Sequence, residues 1–275
     1  MVKPYAVKGR KRKKTERYDR EEEQEEEIQE EQPEDTEDTE EAVGKEGDSF
    51  ELEGIPLAPS ERKADKQPGV IFILERAALE VAKVGKSYQL LNSDDHSHFL
   101  KTKNKNPADY RPDIVHQALL MILDSPLNKA GRLQNVYVRT DKGVLIEVKP
   151  FVRIPRTFKR FAGIMLELLQ KLSISAKGER KKLLRVIKNP VTQYLPVNSR
   201  KIGLSYSSEK LVKMREYVAD FDNDTDLVFV VGAMAHGKID PDYIDDYVAV
   251  SGYPLSAAYC ITMICQALEG KWNIL

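Results

Sequence analysis

Residues 232–238 read GAMAHGK, and residues 250–258 read VSGYPLSAA. The first stretch has the G-x-x-x-x-G-K spacing of a phosphate-cradling loop, and it follows the strand-like run LVFVV at 227–231, where such a loop belongs. The rest of that chemistry is missing. Ile239 stands where a Ser or Thr hydroxyl would hold magnesium, and Pro241 breaks the helix whose first amides would meet phosphate. Two readings stay open for the glycines: a tight turn, or a loop whose backbone approaches a flat or elongated small ligand closely. In the second stretch Gly252 can take a positive φ, and Pro254 fixes the chain ahead of a helix. Ser256 sits near that helix's first amides, while Ala257 and Ala258 permit close packing. The two stretches are expected to form two walls of one pocket.

A second kind of chemistry is written at 153–163, RIPRTFKRFAG. If a helix begins near Thr157, Arg153 and Arg156 lie in a segment stiffened by Pro155, with Arg160 one turn beyond Arg156. The three guanidinium groups can then face one way while Phe158, Phe161, Ile164 and Leu168 supply the buried side, and Lys159 points off that line. Arginine forks suit phosphates and splayed bases better than lysine point charges do. His96 and His98, in SDDHSH, have the residue types of a metal or acid–base cluster, but their place between a strand-like run and Phe99-Leu100 favours a loop or helix-cap role. His236 is read as a surface or RNA-facing residue. Cys260 and Cys265 are too few for a disulfide framework and wrongly spaced for zinc, so both are expected in the core and no metal site is expected.

The elements that must position these residues follow from periodicity. Buried-strand runs appear as VIFILE from residue 70, YQLL (88–91), NVYV (135–138), VLIEV (144–148), IGLSY (202–206) and LVFVV. Helical stripes are predicted behind Pro112-Asp113 and over 158–172, 181–187, 209–221 and 255–268. Strands alternating with helices imply an α/β fold with a largely parallel sheet flanked by helices. Ligands in such sheets gather outside the carboxyl ends of the strands, where both glycine-bearing stretches fall.

The formal net charge of −1 hides a division. Residues 1–66 hold 13 Lys/Arg and 22 Asp/Glu, leaving a remainder of 30 against 22. The first segment opens with the basic KGRKRKK and runs into EEEQEEEIQEEQPEDTEDTEE, too polar to offset its ordering entropy, so residues 1–66 are predicted to form a disordered charged tail and 67–275 one folded domain. The basic heptamer suits nuclear import or nucleic-acid contact. No apolar run reaches the ~18 residues of a membrane span and the N-terminus is no signal peptide, which makes an intracellular protein with no membrane partner the expectation.

Taken in order, DYRPDIVHQALLMILDSPLNKAG, VRIPRTFKRFAG, VIKNPVTQYLP, VVGAMAHGK, GYPLSAA and the terminal KWNIL resemble the eukaryotic ribosome-biogenesis pseudouridine-N1 methyltransferases of the SPOUT class. The resemblance covers roughly 69–275. It implies a SPOUT-type α/β fold with a C-terminal trefoil knot, a topology that general rules of chain connection would reject. It further implies a homodimer, S-adenosyl-L-methionine as methyl donor, small-subunit (18S) pre-rRNA as substrate, ribosome-assembly factors as partners, and a place in the nucleus and nucleolus. Carried onto this sequence, the cofactor site falls on Leu204, Gly232, Gly237, Lys238, Ile239 and the stretch Val250, Ser251, Gly252, Tyr253, Pro254 and Leu255. The RNA side falls on Arg111, Arg153, Arg156 and Arg160, with Asp113 placed to hold the Arg111 guanidinium; Asp113 is also the carboxylate best placed to act as a general base, and no catalytic residue is assigned. The main rivals are an RNA-binding assembly factor whose essential role does not need methylation, and a nucleotide hydrolase.

Overall fold

The computed structural model describes residues 67–176, 181–239 and 241–274; the expected tail lies outside them. The chain runs through β1 (Val70–Ala77), β2 (Val81–Val84), β3 (Ser87–Leu90), α1 (Ser93–Thr102), α2 (Pro112–Leu123), α3 (Pro126–Lys129), β4 (Leu133–Thr140) and β5 (Leu145–Val148). It continues with α4 (Phe158–Lys171), β6 (Ser173–Ser175), β7 (Lys182–Ile187), β8 (Arg200–Leu204), α5 (Met214–Ala219), β9 (Leu227–Gly232), β10 (Asp246–Val248) and α6 (Ala257–Lys271).

The unbroken apolar run of β1 has a simple cause. Alternate side chains of a strand point to opposite faces, and here both faces are covered. Val70, Phe72 and Leu74 enter the larger core together with Phe229, Val231, Val136 and Val138, whereas Ile71 and Ile73 join Tyr137, Val228 and Val230 on the other side. The eight-stranded sheet has the order β10-β8-β9-β1-β4-β5-β7-β6. Its first five strands are mutually parallel, and β5, β7 and β6 continue it antiparallel. The largely parallel α/β sheet expected from the pattern is therefore present, with an antiparallel extension.

Helices α2 and α6 pack on each other and on the central strands, with α5 against α6. Helix α4 buries Phe161, Ile164, Met165 and Leu168, one apolar stripe at helical spacing. The ring of His116 stacks on Phe161 at 4.6 Å and its Nε2 lies 2.7 Å from the Pro155 carbonyl, which ties α2 to the segment leading into α4.

Two predicted helices are not found as such. Residues 182–187 form β7, because Leu184, Arg185 and Val186 pair with Val148, Glu147 and Ile146 of β5 and the buried Glu147 takes hydrogen bonds from Arg185 and Lys149. A short apolar run does not distinguish helix from strand by period alone. Of 209–221 only Met214–Ala219 is helical, with Leu211 bridging to Ala249 instead. In the SDDHSH stretch Asn92 caps α1, accepting from the Asp95 amide at 2.7 Å, and His96 is buried against the Gln89 side chain at 2.7 Å. His96 is thus a satisfied structural histidine. Among the described residues no group of His, Cys, Asp and Glu is arranged to hold a metal ion, and no helix is long and apolar enough to cross a membrane.

Candidate active site

Because β8, β9 and β10 are parallel and adjacent, the loops leaving their carboxyl ends emerge side by side. They enclose a cleft of about 460 Å³, in the range of small-ligand pockets. One wall is Leu204 to Ser207 after β8, the second is Gly232 to Ile239 after β9, and the third is Val248 to Ala258 after β10; the first turn of α2 closes the side with Arg111, Asp113, Ile114 and Gln117. Of the residues expected around a cofactor, Leu204, Gly232, Gly237, Lys238, Ile239, Val250, Ser251, Tyr253 and Leu255 line this cleft. Gly252 and Pro254 do not. Gly252 does not adopt the positive φ open to it, and a Cβ there would meet open space, so no backbone constraint requires glycine.

The glycine loop is constrained elsewhere. Gly237 has φ +106°, and a Cβ on it would approach the Arg76 guanidinium to 2.7 Å. Arg76 itself sits at φ +58°, at an irregularity between Leu74 and Ala77 in the pairing of β1 with β4, and donates to the Lys238 carbonyl at 3.2 Å. At Gly232 a Cβ would come within 2.9 Å of the Met234 sulfur. No helix follows Gly237, so the stacked amides that receive phosphate in a nucleotide hydrolase are absent from this described loop. The third wall is fixed by Ser256, whose hydroxyl accepts from the Tyr259 amide at 3.2 Å and starts α6.

Among the described lining residues three carry charge: Arg111, Asp113 and Lys238. Arg111 and Asp113 form a two-pronged pair, with Nε to Oδ1 at 2.8 Å and the second nitrogen to Oδ2 at 2.7 Å. The hydrogen bonds from Arg111 hold the Asp113 carboxyl below the usual carboxylate range. An acceptor engaged on both oxygens and held ionised is a weak proton acceptor; it serves to aim the guanidinium. Cys265 is buried, as expected, and burial pushes its thiol up to about 12, but Cys260 is only partly buried and lines the cleft. Burial raises the Cys260 thiol too, which keeps it protonated and unreactive at neutral pH.

The pairing of Arg111 with Asp113 yields a prediction. Both side chains are partly exposed, so Asp113→Ala should cost stability only about 0.2 to 1 kcal/mol. Since the folded-state pKa of Asp113 is depressed, the pair's contribution is intact above the unfolded value and is lost as pH falls through the folded one. Thermal melts of both proteins across the acid range check this; a loss well above about 1 kcal/mol at neutral pH would mean that the pair does more than a partly exposed ion pair can.

The three other arginines lie outside the cleft. Arg153, Arg156 and Arg160 are all exposed, and Arg156 reaches only Asp124, at 3.9 Å. Asp124 follows the end of α2 and Arg111 precedes its start, so Arg111 and Arg156 lie near opposite ends of a helix roughly 18 Å long rather than at one point. Ser205, Tyr206 and Ser207 were absent from the residues expected at the site; the polar SYSS run directly after a strand was the available signal.

Comparison with known proteins places this geometry. The family model described as EMG1/NEP1 methyltransferase matches residues 72–269. A mouse protein named ribosomal RNA small subunit methyltransferase NEP1 is 51% identical over 206 residues, covering 75% of this chain and 83% of its own length. The human protein of that name is 50% identical with the same coverage, and one from Thermococcus kodakarensis is 34% identical over 67% of this chain and 83% of its own. In fold, the chain resembles the crystal structure of Archaeoglobus fulgidus Nep1 bound to S-adenosylhomocysteine, with a TM-score of 0.60 at 24% identity, over 74% of this chain and 99% of that one.

Proposed function

The chain belongs to the EMG1/NEP1 methyltransferase family, and from that premise we propose that it methylates N1 of a pseudouridine in small-subunit rRNA, taking the methyl group from S-adenosyl-L-methionine held in the cleft at the ends of β8, β9 and β10. The observation that carries the reading is the convergence of the three strand-end loops on one cleft with two close-packed glycines. The donor set fits: an adenosine needs apolar walls and backbone partners, which Leu204, Ile239, Val250 and Leu255 and their loops offer, and no cluster of cations competes for a phosphate. When bound, the sulfonium supplies an electrophilic methyl group. The chain's own part is to align nucleophile with methyl and to exclude water. Asp113 aims Arg111 at the RNA, and Arg153, Arg156 and Arg160 carry the flanking strand.

The same reading includes the trefoil knot at the C-terminal strands, a homodimer, assembly factors as partners, and action in the nucleolus. The exposed arginines favour one further role, pre-rRNA binding that does not depend on methylation, since they lie apart from the cofactor cleft. Calorimetry of the full chain with S-adenosylhomocysteine tests the assignment. Saturable binding at one site per chain is expected, with ATP and magnesium giving none; a folded sample that binds ATP but no S-adenosylhomocysteine would overturn it.

A further inference from the structure

The carboxyl end of β1 carries a buried acid that the chemistry above does not use. Glu75 is 3% exposed and stands opposite Gly232 in the last register pair of β1 with β9. An acid withdrawn from water costs energy unless donors meet it, and well-packed apolar residues often serve stability equally well, so stability alone does not account for Glu75. The Tyr243 hydroxyl donates to one of its oxygens at 2.8 Å, and an Arg139 nitrogen lies 3.5 Å from the other. Burial, and then the neighbouring Glu75 carboxyl group, push the Tyr243 hydroxyl up, which keeps it a proton donor at neutral pH.

The backbone of the same residue ties this contact to the cofactor cleft. The Glu75 carbonyl accepts from the Ala233 amide at 2.7 Å, so one residue holds positions 233 and 243, on either side of Gly237, Lys238 and Ile239. Past Tyr243 the chain packs over β8 where there is room for it: a Cβ on Gly203 would lie 2.7 Å from the Tyr247 ring and 2.8 Å from Ile244. Ile239, Tyr243, Ile244 and Tyr247 thereby join the sheet face formed by Ile71, Ile73, Val228 and Val230. Ile239 is the link between that face and the cleft. It is buried in the face, a Cβ on Gly232 would come within 3.5 Å of it, and with Lys238 it lines the second wall.

We propose that Glu75 and Tyr243 are positioning residues for the methyl donor: their hydrogen bond fastens the far side of the glycine loop to the end of β1 and so sets where Lys238 and Ile239 stand in the cofactor wall. The inference rests on the methyltransferase reading above. A loop fastened at one side only must be ordered by the ligand as it binds, and that ordering is subtracted from affinity. Once the donor is seated the wall is the same, so the effect falls on cofactor affinity and KM rather than on kcat.

The test uses the full chain. Tyr243→Phe removes one oxygen and keeps the ring, while Glu75→Gln keeps an oxygen that can accept from Tyr243, so both variants should fold. Calorimetry with S-adenosylhomocysteine is expected to show a loss of about tenfold for Tyr243→Phe and of less than about threefold for Glu75→Gln. With S-adenosyl-L-methionine and a stem-loop carrying one pseudouridine, Tyr243→Phe should raise KM for the donor by a similar factor and leave kcat within about twofold. Hydrogen exchange reads the loop with no ligand present: the Ile244 and Asp245 amides, which donate to the Pro241 and Lys201 carbonyls, should exchange about tenfold faster in Tyr243→Phe. Unchanged S-adenosylhomocysteine affinity in Tyr243→Phe, an equal loss in Glu75→Gln, or a kcat that stays low at saturating donor overturns the inference and leaves the enzyme reading standing. Absence of S-adenosylhomocysteine binding by the unmodified chain removes both.

Discussion

Replacing Gly237 by valine should reduce affinity for S-adenosylhomocysteine at least tenfold, about 1.4 kcal/mol, while the melting temperature shifts by only a few degrees. The size follows from two independent penalties at one position. The backbone stands at φ +106°, a region that β-branched residues scarcely enter, and the new Cβ would lie 2.7 Å from the Arg76 guanidinium. Arg76 can swing away, but it then releases the Lys238 carbonyl and with it the lip of the cleft. Since Gly237 is exposed, little core packing is disturbed. The companion variant Gly252→Ala separates a specific loop geometry from a general intolerance of change: its Cβ meets nothing within 4 Å, so affinity should stay within twofold. Titration calorimetry on both variants gives the answer, and equal losses would show that the loop conformation is not what matters.

The largest effect on stability is expected from Phe229→Ala. This side chain is fully buried in the centre of β9, stacked on Phe72 of the neighbouring strand with ring centroids 6.1 Å apart. Truncating a buried phenylalanine removes its transfer free energy and leaves a cavity, about 3 to 5 kcal/mol together, because a sheet covered on both faces has little room to collapse. At roughly 2 to 4 °C per kcal/mol for a domain of this size, the melting temperature should fall by about 10 °C. The loss reaches function as well as fold, since β9 runs straight into the glycine loop. A shift under about 2 °C would show that the core tolerates the cavity.

What the sequence made legible, and what it hid, divides along a physical line. Strands buried on both faces announce themselves locally, as VIFIL and LVFVV did, because every position of the run is apolar. The carboxyl-end rule then located the glycine loop and the stretch after β10, while the pair of Arg111 with Asp113 came from the family resemblance rather than from the pattern itself. Features set by distant partners were not legible. Residues 181–187 carry a pattern compatible with helix until β5 supplies the pairing that makes them a strand. Gly252 can take a positive φ but does not, whereas Gly237 does, packed beside Arg76 of the neighbouring strand β1, a partner far away in sequence. The contact of Glu75 with Tyr243 joins residues 168 positions apart, and no local spacing reports it.

The central claim is tested most directly by incubating the full chain with S-adenosyl-L-methionine and two stem-loops that differ only in carrying uridine or pseudouridine at one position, followed by nucleoside mass spectrometry. The account predicts one added methyl group, on N1 of pseudouridine, and none on the uridine stem-loop. Methylation of both stem-loops, methylation on ribose, or no transfer by a chain that binds S-adenosylhomocysteine would contradict it.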